Sequence, residues 1–228
     1  MKHIRLNSPS LRDPQRAPKP FVYKRLETEY LQEPASLASP PVLETLSLRE
    51  SRREGLRPSR EDIAQLLWHS TRTLRTVKEE SGFLWQHRPT PSGGGRHPVD
   101  LMVCPSLTQP TLELYDPLAH CLCKLEVADQ AALTQFVNKV DAVLPVGDAA
   151  ILWFVAQFDR TMSKYQNGES LVWLDAGALL TTVYLVAEAS GLACCAVGIT
   201  GDPWVTQALG GENRLDGLCG CLLWRRTS

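Results

Sequence analysis

The three glycines at positions 93–95 are the residues whose type and spacing most clearly allow ligand chemistry. They lie in segment 91–98, whose sequence is PSGGGRHP. Glycine has no Cβ atom, so consecutive glycines can adopt positive φ and let a flat ligand lie against bare peptide groups. Clusters of glycine, proline and serine are also typical of ordinary surface turns. The segment alone therefore leaves a ligand loop and a plain turn both open.

An arginine-rich segment, 48–53, has the sequence LRESRR. Guanidinium groups bind phosphate oxygens through paired N–H donors, and Ser51 adds a hydroxyl. This spacing favours a phosphate-binding segment. The alternative is a solvated, charged helix face, which is the usual arrangement for a run of charged residues.

Two further motifs each follow an apolar run. Lys164-Tyr165 comes after 150–156, and Gly198 opens the sequence GITGDP after 193–197. A Lys-Tyr dipeptide alone carries little information, because adjacent residues in a helix point in different directions. The order of the four motifs along the chain is more informative than any one of them.

In this order the motifs resemble those of FMN-dependent enzymes of the nitroreductase fold, and within them the azoline dehydrogenases, over residues 42–224. A basic-x-Ser-x-basic signature of that fold, which grips the FMN phosphate, matches Arg49, Ser51 and Arg53. A Pro-Ser-Ala-Gly-type segment, which runs beside the flavin ring, matches 91–94. The resemblance implies FMN as the cofactor. The residues it implies for cofactor binding are Arg49, Ser51, Arg53, Pro91, Ser92, Gly93, Gly94, Gly198 and Arg225.

The same resemblance implies that Lys164 and Tyr165 are catalytic. Oxidation of a thiazoline or oxazoline to the azole removes a hydride, which the flavin takes, and a proton from the adjacent ring carbon. The proton needs a positioned base, and the relatives assign its transfer to a Lys-Tyr pair. Which of the two residues accepts it stays open. The implied substrate is a ribosomal precursor peptide, and the implied partners are a second copy of the chain and a cyclodehydratase.

The chain departs from these relatives along the predicted central helix. Many of them have Gly-His and then Gln-Asn, where this chain has Gly177-Ala178 and Thr181-Thr182, and 167–170 replaces an arginine-bearing segment. Two other functions therefore stay open. One is an NAD(P)H-dependent nitro- or flavin reductase, which does not need the Lys-Tyr pair. The other is a non-catalytic scaffold of a biosynthetic complex.

Composition and charge narrow the setting. A chain of 228 residues with 43% hydrophobic and 21% charged residues is typical of a soluble globular protein. The net charge of −1 gives no overall field that would attract nucleic acid or an acidic membrane. No transmembrane span is expected, because Asp175, Glu188 and glycines interrupt the apolar region 171–199.

The seven cysteines are predicted to be reduced and buried. No secretory signal is expected at the start of the chain, so a cytoplasmic location is the simplest prediction. Cys121-Leu122-Cys123 and Cys219-Gly220-Cys221 also permit a metal site, but histidine ligands at zinc-finger spacing are missing. The predicted functional site therefore includes no metal.

Residues 1–41 are rich in proline, serine and charge, and are expected to form an extended arm or a loose tail before an FMN-binding domain, 42–228. Ser59 and Asp62 predict a helix start, and 127–143, 171–190 and 204–209 are predicted helices. The predicted strands are 99–104, 111–115, 121–125, 150–156, 193–199 and 218–224. This order indicates an α+β fold. The resemblance implies a nitroreductase-like sandwich with an antiparallel-rich sheet, a central helix and a flavin bound at a subunit interface.

Overall fold

The computed structural model describes residues 6–35, 40–211 and 213–227. Its strands are β1 (Ser10–Leu11), β2 (Arg25–Tyr30), β3 (Arg75–Lys78), β4 (Leu84–His87), β5 (Val99–Cys104), β6 (Glu113–Asp116), β7 (Cys121–Leu125), β8 (Ala150–Ala156), β9 (Tyr165–Gln166), β10 (Leu192–Val197) and β11 (Asp216–Arg225). Its helices are α1 (Val42–Leu48), α2 (Arg60–Thr71), α3 (Gln130–Val143), α4 (Phe158–Met162), α5 (Glu169–Ala189) and α6 (Trp204–Leu209), with a 3₁₀ turn at Gly93–Gly95.

Seven strands form one antiparallel sheet in the order β10-β11-β8-β5-β6-β7-β2. Helices α2 and α5 pack on one face of the sheet, and α3 and α6 pack on the other. Strand β8 is buried throughout because its successive side chains enter opposite cores: Trp153 joins the α3–α6 side and Phe154 the α2–α5 side. The predicted α+β architecture with an antiparallel sheet is confirmed.

Local signals placed several elements correctly. Helix α2 begins at the N-cap Ser59, whose hydroxyl accepts a hydrogen bond from the Asp62 amide while the Asp62 carboxylate accepts one from the Ser59 amide. Helix α3 begins three residues later than predicted, because Asp129 caps it by accepting a hydrogen bond from the amide of Ala132. The elements with the predicted bounds are β5, β7, β8 and α6.

Helix α5 buries a single stripe rather than its whole surface. The stripe is formed by Val172, Ala176, Leu179, Val183 and Ala187. On the opposite side, Trp173 is 47% exposed and Leu174 is 67% exposed. Apolar residues lie nearly all round this helix, but only one stripe of them is fully buried, because the sheet contacts only one face of it.

Helix α5 continues through both Asp175 and Glu188, as the predicted helix 171–190 does. By length and composition it is the one helix among the described residues that qualifies as a candidate membrane span, with a mean hydropathy of 1.6 in its most apolar window. A core helix of a globular domain meets the same criteria. Here α5 packs on the sheet, and the carboxylates of Asp175 and Glu188 both have hydrogen-bond partners in the fold.

Part of the predicted N-terminal arm belongs to the sheet. Strand β2 pairs with β7, and β1 pairs with β9. Tyr23 is buried, and its hydroxyl donates to Asp100. Residues 25–30 are therefore an edge strand and not part of an extended arm. The six residues of β2 are all exposed, because main-chain hydrogen bonds hold an edge strand and no apolar face is needed.

The hairpin formed by β3 and β4 was not predicted either. Its strands are mostly exposed, and Gly82 occupies the turn with a φ of 83°. The hairpin lies over the segment 91–98 and brings Trp85 and Glu79 towards it.

Candidate functional site

The glycine loop, residues 91–98, connects the β3–β4 hairpin to β5. Gly94 and Gly95 have φ angles of 63° and 65°, in the left-handed region that favours glycine. A Cβ atom on Gly94 would lie 2.5 Å from the hydroxyl oxygen of Tyr165, and one on Gly95 would collide with the indole nitrogen of Trp85. Both the backbone conformation and the close packing therefore require glycine at these positions.

Asp175, on α5, anchors the start of the glycine loop. Its carboxylate accepts a 2.6 Å hydrogen bond from the Ser92 hydroxyl and a 2.9 Å bond from the Gly93 amide. Ser92 Oγ in turn accepts from the amide of His97 at 2.8 Å. Burial raises the pKa of Asp175, and the two hydrogen bonds oppose that shift. Sequence reasoning treated Asp175 only as an interruption, although a carboxylate in an apolar helix was a signal for a partner.

His97 fixes the other end of the loop to β4. Its Nε2 atom lies 3.0 Å from the carbonyl oxygen of Gln86. Burial, assisted by the nearby Arg88 guanidinium, lowers the pKa of His97 to about 3. The imidazole is therefore neutral at pH 7, and its proton is on Nε2, because a carbonyl oxygen can only accept.

The structure brings Tyr165 to the glycine loop. Tyr165 begins β9, which pairs with β1 so that Leu11 lies opposite Tyr165. The tyrosine ring is directed at Gly94, and Gly168 lies close behind the tyrosine Cβ. Of the sequence-predicted residues, Tyr165, Ser92, Gly93 and Gly94 are thus gathered at one place, next to the N-terminal half of α5.

Lys164 is linked to the same loop through a carboxylate. Its Nζ atom lies 3.9 Å from Glu79, whose other oxygen lies 3.0 Å from the guanidinium of Arg96. Arg96 is 1% exposed and stacks 4.1 Å from the Phe83 ring. Sequence reasoning missed Glu79, because it lies at the end of a hairpin that no pattern predicted.

The clamp segment, residues 49–53, follows α1 without regular structure. Ser51 Oγ lies 3.1 Å from the hydroxyl of Tyr184, and the Arg49 guanidinium lies 5.5 Å from the centre of the same ring. The Tyr184 hydroxyl accepts a 2.6 Å hydrogen bond from the amide of Ala196, and burial raises the pKa of this tyrosine. Arg53 is exposed and has no ion-pair partner among the described residues. Arg49, Ser51 and Arg53 therefore leave donors free for a ligand.

The other arginines near the clamp segment are already paired. Arg52 and Arg226 share the buried carboxylate of Glu188. Arg225, the residue predicted for the cofactor site, instead binds Asp62 at 3.0 Å. The structure thus places Arg226, rather than Arg225, beside the segment 49–53.

The glycine loop and the clamp segment meet different halves of α5. Asp175 and Tyr184, their contacts on the helix, are nine residues apart, or about 14 Å at 1.5 Å per residue. Gly177 lies between them, exposed and with open space where a Cβ would be, and the Thr181 hydroxyl bonds back to its own helix. Gly198 is also exposed and comes directly after the end of β10, two residues beyond Ala196.

The cysteines form no metal centre within the described ranges 6–35, 40–211 and 213–227, where no group of three or more potential ligands gathers. All seven are free thiols, and all except the partly exposed Cys219 are buried. Burial raises the pKa of Cys104 to about 11 and that of Cys121 to about 12. The prediction that the cysteines act as small buried hydrophobic residues is confirmed for these positions.

Comparisons with known proteins agree with this architecture. The chain resembles a protein described as a nitroreductase from Ralstonia eutropha JMP134, with a TM-score of 0.66 and 23% identity over 94% of this chain and 99% of the other. It also resembles a chain of the Escherichia coli microcin synthetase McbBCD complex with truncated pro-MccB17 bound, with a TM-score of 0.58 and 18% identity over 88% and 79%. A nitroreductase family protein from Clostridium novyi NT gives 0.51 and 14% over 82% and 86%.

No curated protein sequence matches the chain. The sequence model of the nitroreductase family, however, matches residues 55–222, which include the glycine loop, the Lys164-Tyr165 pair and α5. Together with the antiparallel sheet and the helices on both of its faces, this match shows that the chain has the nitroreductase fold and belongs to the nitroreductase family.

Proposed function

We propose that this chain is an FMN-dependent azoline dehydrogenase, which oxidises thiazolines or oxazolines in a ribosomal precursor peptide to thiazoles or oxazoles. The observation that carries the proposal is the contact between Tyr165 and Gly94. It joins the predicted catalytic pair to the loop predicted to lie along the flavin ring, although seventy positions separate them in the sequence.

Membership of the nitroreductase family supports FMN as the cofactor. The clamp segment fits the phosphate of FMN, because Arg49 and Arg53 are exposed cations without ion-pair partners among the described residues and the Ser51 hydroxyl lies beside them. Arg52 and Arg226 stay with Glu188 and keep this surface in place.

The glycine loop fits a flat ring. Gly93 and Gly94 carry no side chains of their own and are partly exposed, and Asp175 fixes the start of the loop by accepting hydrogen bonds from Ser92 and Gly93. The small residues Gly177 and Ala178 on the outer face of α5 leave room between the loop and the clamp segment. At the departures, Ala178 has no polar side-chain group, and the hydroxyls of Thr181 and Thr182 donate to carbonyl oxygens of their own helix.

Bound FMN supplies the acceptor for the hydride that leaves the azoline. The protein must then take the proton from the adjacent ring carbon, which is the role proposed for the Lys164 and Tyr165 side chains. Tyr165 is held between Gly94 and Gly168, and Lys164 is held by Glu79, so both groups have fixed positions before the substrate arrives.

The likeness to the microcin synthetase McbBCD complex, solved with truncated pro-MccB17 bound, favours a peptide substrate and a separate cyclodehydratase partner. No motif of this chain is assigned to the step that forms the azoline, so a separate protein is proposed to carry out that step. The reaction is proposed to take place in the cytoplasm, where its free thiols stay reduced.

A homodimer is proposed to complete the site. Trp173 and Leu174 on α5 and Leu43 on α1 expose apolar surface beside both halves of the cofactor site. Leu174→Glu should convert the dimer to a monomer and lower FMN retention, because it places a charge in the proposed interface. Leu118→Glu, an equally simple change at a leucine that is 56% exposed elsewhere, is the control. A monomeric wild-type protein in light scattering would contradict the dimer.

The proposed function is tested first by the absorption spectrum of the purified protein, with the released chromophore identified by chromatography. Lys164→Ala and Tyr165→Phe should both retain FMN and the fold, and both should lose azole formation on an azoline-bearing peptide, measured by the loss of 2 Da per ring (about two hydrogen masses, as hydride plus proton). Normal turnover by both variants would refute the proposed catalytic pair.

The second candidate is an NAD(P)H-dependent nitro- or flavin reductase, which the overall likeness to nitroreductases favours. It predicts that NADH or NADPH bleaches the bound flavin rapidly and that Lys164→Ala and Tyr165→Phe leave this step unchanged. A protein that neither carries nor takes up FMN would instead favour a non-catalytic scaffold.

A further inference from the structure

A large cleft lies on the side of the glycine loop away from α5. Its volume is about 720 Å³, within the usual range for small-molecule sites. The N-terminal segment 17–25 forms one wall, the β3–β4 hairpin forms the opposite wall, and the ends of β5 and β6 form the floor.

The fold holds both walls in place. On the N-terminal side, the Phe21 amide donates to the Gln157 side chain at 2.7 Å and the Tyr23 hydroxyl donates to Asp100 at 2.9 Å. On the other side, His97 joins the glycine loop to β4 through the carbonyl of Gln86. The cleft is therefore a feature of the folded chain and is not formed by a chain terminus lying loosely on the surface.

Much of the lining is apolar or aromatic. Phe21, Phe83, Leu84 and Leu114 face the cleft together with several prolines. Surfaces of this kind bury the hydrocarbon part of a small ligand and leave its orientation to a few polar groups.

Three of the four arginines that line the cleft are neutralised. Arg160 forms a bidentate pair with Asp100, and Arg25 lies 3.2 Å from Asp116. Arg96 is paired with Glu79. Because these ion pairs neutralise the three arginines, the arginines attract an additional anion only weakly.

Arg88 is the exception. Its Nε and Nη2 atoms both donate to the side-chain oxygen of Gln86, at 2.9 and 2.6 Å. Within the described part of the chain, no carboxylate lies within ion-pair distance of it, and its Nη1 atom has no hydrogen-bond acceptor. Burial, with the nearby Arg160, lowers the pKa of Arg88 to about 10, so the group is still a cation at neutral pH.

Arg88 is partly buried, and a partly buried cation without a counter-ion among the described residues costs free energy unless a partner reaches it. We propose that this cleft is a second binding site, which takes a small carboxylic acid with an apolar body, and that Arg88 binds the carboxylate. Asp100 and Asp116 lie on the same floor. Both are paired, with Arg160 and Arg25, so Arg88 is left as a single positive charge in this lining and matches a single carboxylate better than a dianion such as phosphate.

The test uses phenylacetate, its neutral analogue phenylacetamide and inorganic phosphate as probes of the full-length protein, with binding followed by ligand-observed NMR and calorimetry. Phenylacetate should bind at least about tenfold more tightly than the other two, since a charge-assisted bond is worth about 1.4 kcal/mol or more. No detectable phenylacetate binding at millimolar concentration, or equal binding of the amide, would overturn the proposal.

Two variants locate the site. Arg88→Gln should abolish phenylacetate binding, whereas Arg57→Gln, which removes an exposed arginine paired with Asp148, should not change it. Gln86→Glu keeps Arg88 but gives it an internal carboxylate, and should weaken binding by about tenfold. The Gln86 variant decides the matter even if Arg88→Gln fails to fold. Unchanged binding in either variant would refute the assignment of Arg88.

Discussion

In the glycine loop, the polar groups that hold the chain already have partners in the fold, whereas in the clamp segment the cations Arg49 and Arg53 have no ion-pair partner within the described ranges. Both regions contact α5, one through Asp175 and the other through Tyr184. The loop presents bare peptide groups to a ligand, and hydrogen bonds within the fold fix the conformation of the loop. The clamp segment offers the charges of Arg49 and Arg53, for which the described part of the chain provides no counter-ion. Variants in the loop should therefore affect stability first, and variants in the clamp segment should affect binding first.

The largest expected effect is on the loop anchor. Asp175→Ala removes the acceptor of both the Ser92 hydroxyl and the Gly93 amide. It should lower the free energy of unfolding by about 3 kcal/mol, since hydrogen bonds to charged groups contribute about 1.5–3 kcal/mol each and water replaces part of them. Denaturant unfolding measures this change.

The matched control is Asp129→Ala, which also removes a carboxylate that binds a backbone amide, at the N-cap of α3. Loss of such a cap costs about 1 kcal/mol. If the two variants were equally destabilised, Asp175 would be an ordinary helix residue and not the anchor of the loop.

The pH dependence of stability is the next largest effect. Burial lowers the pKa of His97 in the folded protein from 6.5 to about 3. As the pH falls below 6.5, the unfolded chain therefore binds a proton at His97 that the folded protein does not bind. Stability contributed by His97 is complete above pH 6.5 and is lost as the pH falls towards 3. Between pH 7 and pH 5 the loss is about 2 kcal/mol. His97→Gln should remove this slope, measured as unfolding free energies at the two pH values.

The smallest effect separates neighbouring arginines of the clamp segment. Arg49→Gln and Arg53→Gln should each weaken FMN binding by about tenfold and change stability by less than about 0.5 kcal/mol. Arg52→Gln, one position away, should instead reduce stability, because it breaks the pair with the buried Glu188. Flavin fluorescence titration and thermal unfolding measure the two quantities. Equal FMN affinities in all three variants and the wild type would place the phosphate elsewhere.

Much of the framework was predictable because its signals are local. Strand β8 is a short unbroken apolar run, and Ser59 with Asp62 marks the start of α2 through groups three residues apart. Strand β2 and the β3–β4 hairpin were not predicted, because their residues are mostly exposed and form no apolar pattern. The sequence likewise could not choose between Arg225 and Arg226 for the clamp, because the two adjacent residues differ only in which acid lies near them: Asp62 near Arg225, and Glu188 near Arg226.

The sequence by itself determined the fold class, the family and the residue types available for chemistry, because periodicity, capping and motif order depend on neighbours along the chain. Only the tertiary structure decided which of those residues meet. It joined Tyr165 to Gly94, Lys164 to Glu79 and Asp175 to Ser92, and it left Arg88 without a carboxylate partner among the residues that the structure describes. These contacts link positions far apart in the chain, so they follow from how the hairpin, the sheet and α5 pack and cannot be derived from local pattern.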